Sequence, residues 1–172
     1  TLPTPNSYRS ASGAPGINYW QQRADYEIDV ELNEDTQLIT GKETITYYNN
    51  APEVLRYLWL QLDQNNLSKG NMTDKTETNR VRDSIPAKFF PLSGDMYGYD
   101  GGFKIGSVTD TNGKPLKHTI NNTMMRIDLP TPLKTGEKFA FNVTWKYTEY
   151  DRNVLGGRGG YEFFPEDGNY VY

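Results

Sequence analysis

Alternation of period two dominates this chain. Within ADYEIDVEL, Tyr26, Ile28, Val30 and Leu32 are separated by Glu27, Asp29 and Glu31, the pattern of a strand with one buried and one wet face. NEDT (33–36) is a turn. QLITGKETITYYN then reads as a second strand of β-branched and aromatic residues, with Gly41 as a bulge or bend. Asn49, Asn50 and Pro52 end it. In VLRYLWLQL, Leu58, Leu60 and Leu62 share one face and Tyr57, Trp59 and Gln61 the other, so the first three segments read as a meander. Further on, FKIGSVTD and LKHTI flank Asn112-Gly113 as a hairpin. MMRIDL is a short strand, and KFAFNVTWKYT places Phe139, Phe141, Val143, Trp145 and Tyr147 in one alternating set. The polar stretch 73–84 reads as a short helix or a loop, and 91–102 (PLSGDMYGYDGG) as a loop. The expectation is an all-β domain, an antiparallel saddle or sandwich of about seven or eight strands. It spans 20–172 and follows an extended leader or linker, 1–19, rich in Pro, Gly, Ser and Asn.

Composition narrows this picture. Hydrophobic residues make up 35% of the 172, and 13 tyrosines are among them, so the core must be thin and partly aromatic, as a layered β structure allows. A net charge of -4 with a pI near 5.1 argues against a nucleic-acid-binding face. With no cysteine, disulfides, thiolate metal sites and a Cys nucleophile are excluded. No apolar run is long enough for a membrane-spanning helix. A Thr start after a lost leader points to export, periplasmic or extracellular.

Candidate chemistry is sparse. His118 is the single histidine, no G-x-S-x-G elbow accompanies it, and H-E-x-x-H is absent. Asp95 and Asp100 bracket MYGY without the close oxygen spacing of a calcium loop, and read as turn chemistry. GGRGG (156–160) lacks the Walker pattern, and one arginine carries little charge for RNA; it reads as a flexible or backbone-crowded loop. Trp20, Trp59 and Trp145 are either core or a sugar-stacking platform. Trp145 belongs to the alternating apolar set, whereas Trp59 faces away from the leucines. Asn66, Asn71, Asn121 and Asn142 each open an N-glycosylation sequon, and Asp83-Ser84-Ile85 matches an O-glycosylation signal of exported bacterial proteins. None of the 22 acidic residues stands out as half of a catalytic pair. The residues therefore yield no catalytic, cofactor-binding or metal-binding candidate.

Three successive pieces carry a resemblance. Tyr26–Leu32 follows Y-x-I-x-V-x-L, Ile39–Asn49 runs close to L-x-G-x-x-x-I-x-Y-x-N, and Ala51–Asn65 follows S/A-P-x-x-L-x-x-L-x-L-x-L-x-x-N. Together they resemble the opening domain of the aminopeptidase N-like (gluzincin) zinc metallopeptidases, and GGRGGYEFFPEDGNYVY resembles a bacterial branch of that family. Similarity is good over 19–65 and 154–172; the middle, 66–150, is matched only as a run of strands. The resemblance implies a saddle-shaped N-terminal β domain packed on a thermolysin-like catalytic domain of the same chain. It implies zinc and a peptide substrate in the parent enzyme. In the family, the strand begun by NYVY continues toward a Gln or Glu that holds the substrate's free amino terminus. The zinc helix, a downstream Glu and the catalytic Tyr lie later still. The chain is thus expected to be truncated before the catalytic domain, to bind no zinc and to cleave nothing. An apolar patch is expected where the catalytic domain packs, with Phe164, Tyr170 and Tyr172 as its candidates. The alternative is a stand-alone secreted β-sandwich that binds glycan or protein through an aromatic platform around Trp59.

Overall fold

The structure, a computed structural model, describes residues 4–71, 99–155 and 159–172. The readings of 73–84 and 91–98, with Asp95 and Ser84, lie outside the described residues, as does the centre of GGRGG. Among the described residues there are nine strands: β1 (Arg23–Asn33), β2 (Leu38–Tyr48), β3 (Leu55–Gln61), β4 (Lys104–Asp110), β5 (His118–Asn121), β6 (Met124–Leu133), β7 (Lys138–Thr148), β8 (Glu162–Phe164) and β9 (Asn169–Val171). A 3-10 turn (Asp63–Leu67) and a one-turn helix α1 (Arg152–Leu155) complete the set. All strand pairings between these elements are antiparallel. The all-β antiparallel architecture read from the alternation is the one observed.

The strands form a four-stranded sheet, β1-β2-β7-β4, a three-stranded sheet, β3-β6-β5, and the hairpin β8-β9. The expected meander does not form. β2 and β3 lie in different sheets, and the Asn49–Pro52 corner carries the chain across. Asn49 explains the corner. This fully buried side chain donates to the carbonyls of Glu53 (2.8 Å) and Leu133 (3.0 Å), and accepts from Gln22 (3.0 Å) and the Ala51 amide (3.1 Å). All its polar atoms are partnered, so burying it leaves no desolvated group unpaired. The Asn112-Gly113 turn forms as expected, with Gly113 at φ +82° and Thr109 bridging Pro115. The returning strand then leaves β4, and β5 pairs with β6 in the other sheet.

The core sits between the two sheets. Ile45, Phe141, Val143 and Val108 from the larger sheet meet Leu58, Met125 and Ile127 from the smaller, with Leu62 and Leu116 at its margins. Phe139, Trp145 and Tyr147 pack against it, so the β7 alternation is read correctly. Gly41 is no bulge: β1, β2 and β7 run in unbroken register through it, Val30 opposite Gly41 opposite Trp145. A Cβ at Gly41 would lie 2.2 Å from the Trp145 ring, so glycine is there to let the indole lie on the backbone.

β1 departs from expectation most. Its apolar alternates lie on the core-side face but beyond the cover of the smaller sheet: Tyr26 is 51% exposed, Ile28 52%, Val30 58% and Leu32 38%. Three strands cannot roof four, and of the two edge strands β1 is left bare while β4 buries Val108.

Candidate functional site

The residues singled out for chemistry are dispersed. His118 lies exposed on β5, with Nδ1 facing the Leu116 carbonyl at 3.1 Å. Asp100 ties two loops together: it accepts from the Lys69 amide (3.1 Å) and pairs with Lys104, which hold its carboxyl below the usual range. Asn142 sits in mid-strand and accepts from the Thr44 hydroxyl (2.8 Å). Among the described residues, no three His, Cys, Asp or Glu side chains gather as a metal site. What the fold presents instead is surface.

The first surface is aromatic. The Pro165–Gly168 turn closes β8 on β9, with the Gly168 amide donating to the Phe164 carbonyl at 2.9 Å. Phe163 stands opposite Tyr170, their rings 4.8 Å apart, and Tyr161 and Tyr172 lie within 5.9 and 6.3 Å of Tyr170. Four rings thus share one face, on which Phe163 and Tyr172 are 44% exposed. Phe164 pairs with Asn169 and points to the opposite face. The expected trio is therefore corrected: Tyr170 and Tyr172 belong together, with Phe163 and Tyr161 in place of Phe164. Strand parity could have shown this, because Phe163 and Phe164 cannot share a face. The hairpin hangs from Tyr150–Arg152 by main-chain bonds, Tyr161 to Tyr150 (2.8 Å) and Arg152 to Tyr161 (2.9 Å). Gly160 permits that approach. At φ +93°, it would place a Cβ 2.7 Å from the Tyr150 carbonyl oxygen, so this end of GGRGG is crowded backbone.

The second surface is the outer face of the smaller sheet. Trp59, 54% exposed, meets Tyr57 edge-on at 6.1 Å, and the Arg126 guanidinium lies 4.1 Å from the Tyr57 ring centre. Arg126 is held by Asp128 at 2.8 Å. Beside Trp59 lies a shallow cavity of about 420 Å³ lined by Lys117, Thr119, Asn121, Arg126 and Asp128.

A third feature is a trough of about 270 Å³ at the open side of the core, bounded by Tyr26, Ile28, Leu60, Phe103 and Trp145. Glu43 faces into it. Burial pushes the Glu43 carboxyl above its usual value, and the Trp145 indole N–H, a donor to it, partly opposes the shift.

No protein-family model matches the chain. No curated protein matches it either. Solved structures similar in fold include the M1 zinc metallopeptidase from Deinococcus radiodurans, with 15% identity, a TM-score of 0.47, and coverage of 86% of this chain and 25% of that one. A variant of that enzyme bound to a Tyr-Ser-Ala substrate has 14% identity and a TM-score of 0.45, covering 79% and 22%. A two-domain M1 zinc metallopeptidase variant bound to L-tryptophan gives the same values, 14%, 0.45, 79% and 22%. The chain thus spans a quarter or less of the length of these proteins.

Proposed function

We propose that this chain is the non-catalytic N-terminal domain of a zinc aminopeptidase, where it caps the active-site cleft and helps position the substrate's amino terminus. The observation that carries this reading is the aromatic face of β8-β9: four rings gathered on one side of a two-stranded hairpin, with Phe163 and Tyr172 exposed on it. Such a face suits a large apolar partner. The run Tyr26–Asn65 supports it, since the pieces that resemble the peptidase family end on Asn49 and Asn65, the two buried polar residues among those described. Zinc belongs to the catalytic domain in this reading, where its chemistry is carbonyl polarisation and water activation. The described residues here offer no ligand cluster for it. Export of the parent enzyme is part of the same proposal.

The test is to express the complete reading frame that contains this chain and assay it on amino acid anilides. Release that requires a free amino group and stops on chelation is the expected result. A frame without H-E-x-x-H, or a product that cleaves equally after N-acetylation, overturns the reading.

The Trp59 face favours a second reading, a glycan-binding β-sandwich, because an exposed indole beside Asn121, Asp128 and Arg126 has the make-up of a sugar platform. Tryptophan-fluorescence titration with oligosaccharides, native against Trp59→Ala, decides it. Quenching lost in the variant supports it; no quenching by any glycan ends it.

A further inference from the structure

The edges of the two main sheets are not equally guarded. β4 is kinked where the register breaks between Ile105 and Ser107. Its outer side is also covered by its own continuation, with the Leu116 amide donating to the Val108 carbonyl at 2.9 Å. β5 has only 4 residues, and β3 has 7 with a register break after Leu55. These are usual ways of blunting an edge. β1 has none of them. It runs 11 residues without proline, paired one for one with β2 from Arg23↔Tyr48 to Asn33↔Leu38. No described residue pairs with its outer side, so a row of main-chain donors and acceptors is left open.

The side chains of that edge specify what fits it. One face offers Tyr26, Ile28, Val30 and Leu32, all exposed. The other offers Asp25, Glu27, Asp29 and Glu31. Arg23 neutralises Asp25 at 2.8 Å, and Lys42 stands opposite Asp29. Glu27 and Glu31 stand opposite Thr44 and Thr40 and have no cation across the ladder. A second copy of β1 is a poor occupant. Any antiparallel register that keeps apolar on apolar puts the acidic rows directly against each other, and like charges in facing positions are destabilising. An incoming strand that alternates cationic and apolar residues meets both faces at once.

We propose that the β1 edge accepts an extended segment of alternating Lys/Arg and aliphatic or aromatic residues as a fifth strand of the larger sheet. The main chain supplies pairing, Tyr26–Leu32 supplies the apolar contact, and Glu27 and Glu31 select basic over acidic sequences. This inference is independent of the peptidase reading.

The test uses the 172-residue chain, labelled with 15N, and three capped octapeptides. One alternates Lys with Val, one alternates Glu with Val, and one has a Lys block followed by a Val block. The alternating Lys peptide is expected to shift β1 resonances and to slow amide exchange in alternate residues of Arg23–Asn33. Its affinity should exceed that of each other peptide by about tenfold, and fall with added salt. Glu27→Lys with Glu31→Lys is expected to reverse the preference between the Lys and Glu peptides. Equal binding of the block peptide would mean undirected charge attraction, and would overturn the proposal. Absence of β1 protection would also overturn it, and would leave the acidic row as a guard against aggregation.

Discussion

Asn49, at the end of β2, ties together the loop after it and the end of β6, 84 residues away, with one amide group. Its replacement by alanine leaves the Leu133 carbonyl unpaired in buried surroundings and the Glu53 carbonyl without its partner in half-buried ones. We expect Asn49→Ala to cost about 2–3 kcal/mol in urea unfolding, since buried groups left unpaired lose their desolvation energy without return. Gly41→Ala should cost about 1–3 kcal/mol by forcing the Trp145 indole off the β2 backbone. That loss should largely vanish in the Trp145→Ala background, where nothing crowds the new methyl. Glu43 gives a pH signature. Its folded value is raised above the ordinary 4.5, so its stabilising contribution is complete below 4.5 and is lost as pH rises through the folded value. Glu43→Gln keeps an acceptor for the indole and has no charge to bury. Urea midpoints of the native chain should therefore fall relative to Glu43→Gln between acid and neutral pH. A difference that does not change with pH would mean the carboxylate is well solvated. These roles were only partly legible. Asn49 and Asn65 stand out in the sequence as ends of motif pieces, but their partners are set by tertiary contact. Gly41 reads as a bend because glycine in a strand often marks one, and the ring that excludes a side chain there comes from a strand a hundred residues on.

At the scale of elements, alternation located β1, β3 and β7, and β-branched and aromatic composition located β2. β6 was visible only as the short piece MMRIDL, because Pro130-Thr131-Pro132 reads as a turn-rich connector although the strand runs on to Leu133. Alternation could not say which sheet a strand joins. β3 has the same alternation as its neighbours, and its transfer to the second sheet depends on the Asn49 corner rather than on its own residues. Nor could it say that β1's apolar face would stay bare, since that depends on how many strands the opposing layer has. At the β8-β9 hairpin the turn and the aromatics were visible, but the face was assigned one residue out of phase. Gly160 decides how this hairpin sits. Gly160→Ala brings strain at a left-handed φ and a clash with the Tyr150 carbonyl. We expect the near-ultraviolet dichroism of the Tyr161–Tyr172 cluster to collapse while the far-ultraviolet β signal from the main sheets persists. Loss of both together would show the hairpin to be integral to the core.

For the whole molecule, the question is which bare surface faces a partner. The core is thin, and three surfaces compete: the hairpin face, the outer side of β3-β6-β5, and the β1 edge. If the chain caps a catalytic domain through the hairpin, extension to the complete reading frame must bury that face. N-acetylimidazole with mass spectrometry reads this tyrosine by tyrosine. In the 172-residue chain, Tyr172 and Tyr57, 44% and 41% exposed, should both be acetylated. In the complete product Tyr172 should be protected about tenfold or more, because a docked phenol reacts only when the interface opens. Tyr57, on the outer side of the smaller sheet, should keep its reactivity. The reverse pattern would move the docking surface to the Trp59 face and remove the sugar platform, since one surface cannot be both sealed and open to glycan. Protection of neither would leave the domain tethered but undocked, and the capping role would fall. The β1 edge can be followed in the same samples through Tyr26, 51% exposed. It should stay reactive until the alternating Lys peptide is added, because that site takes a strand and not a domain.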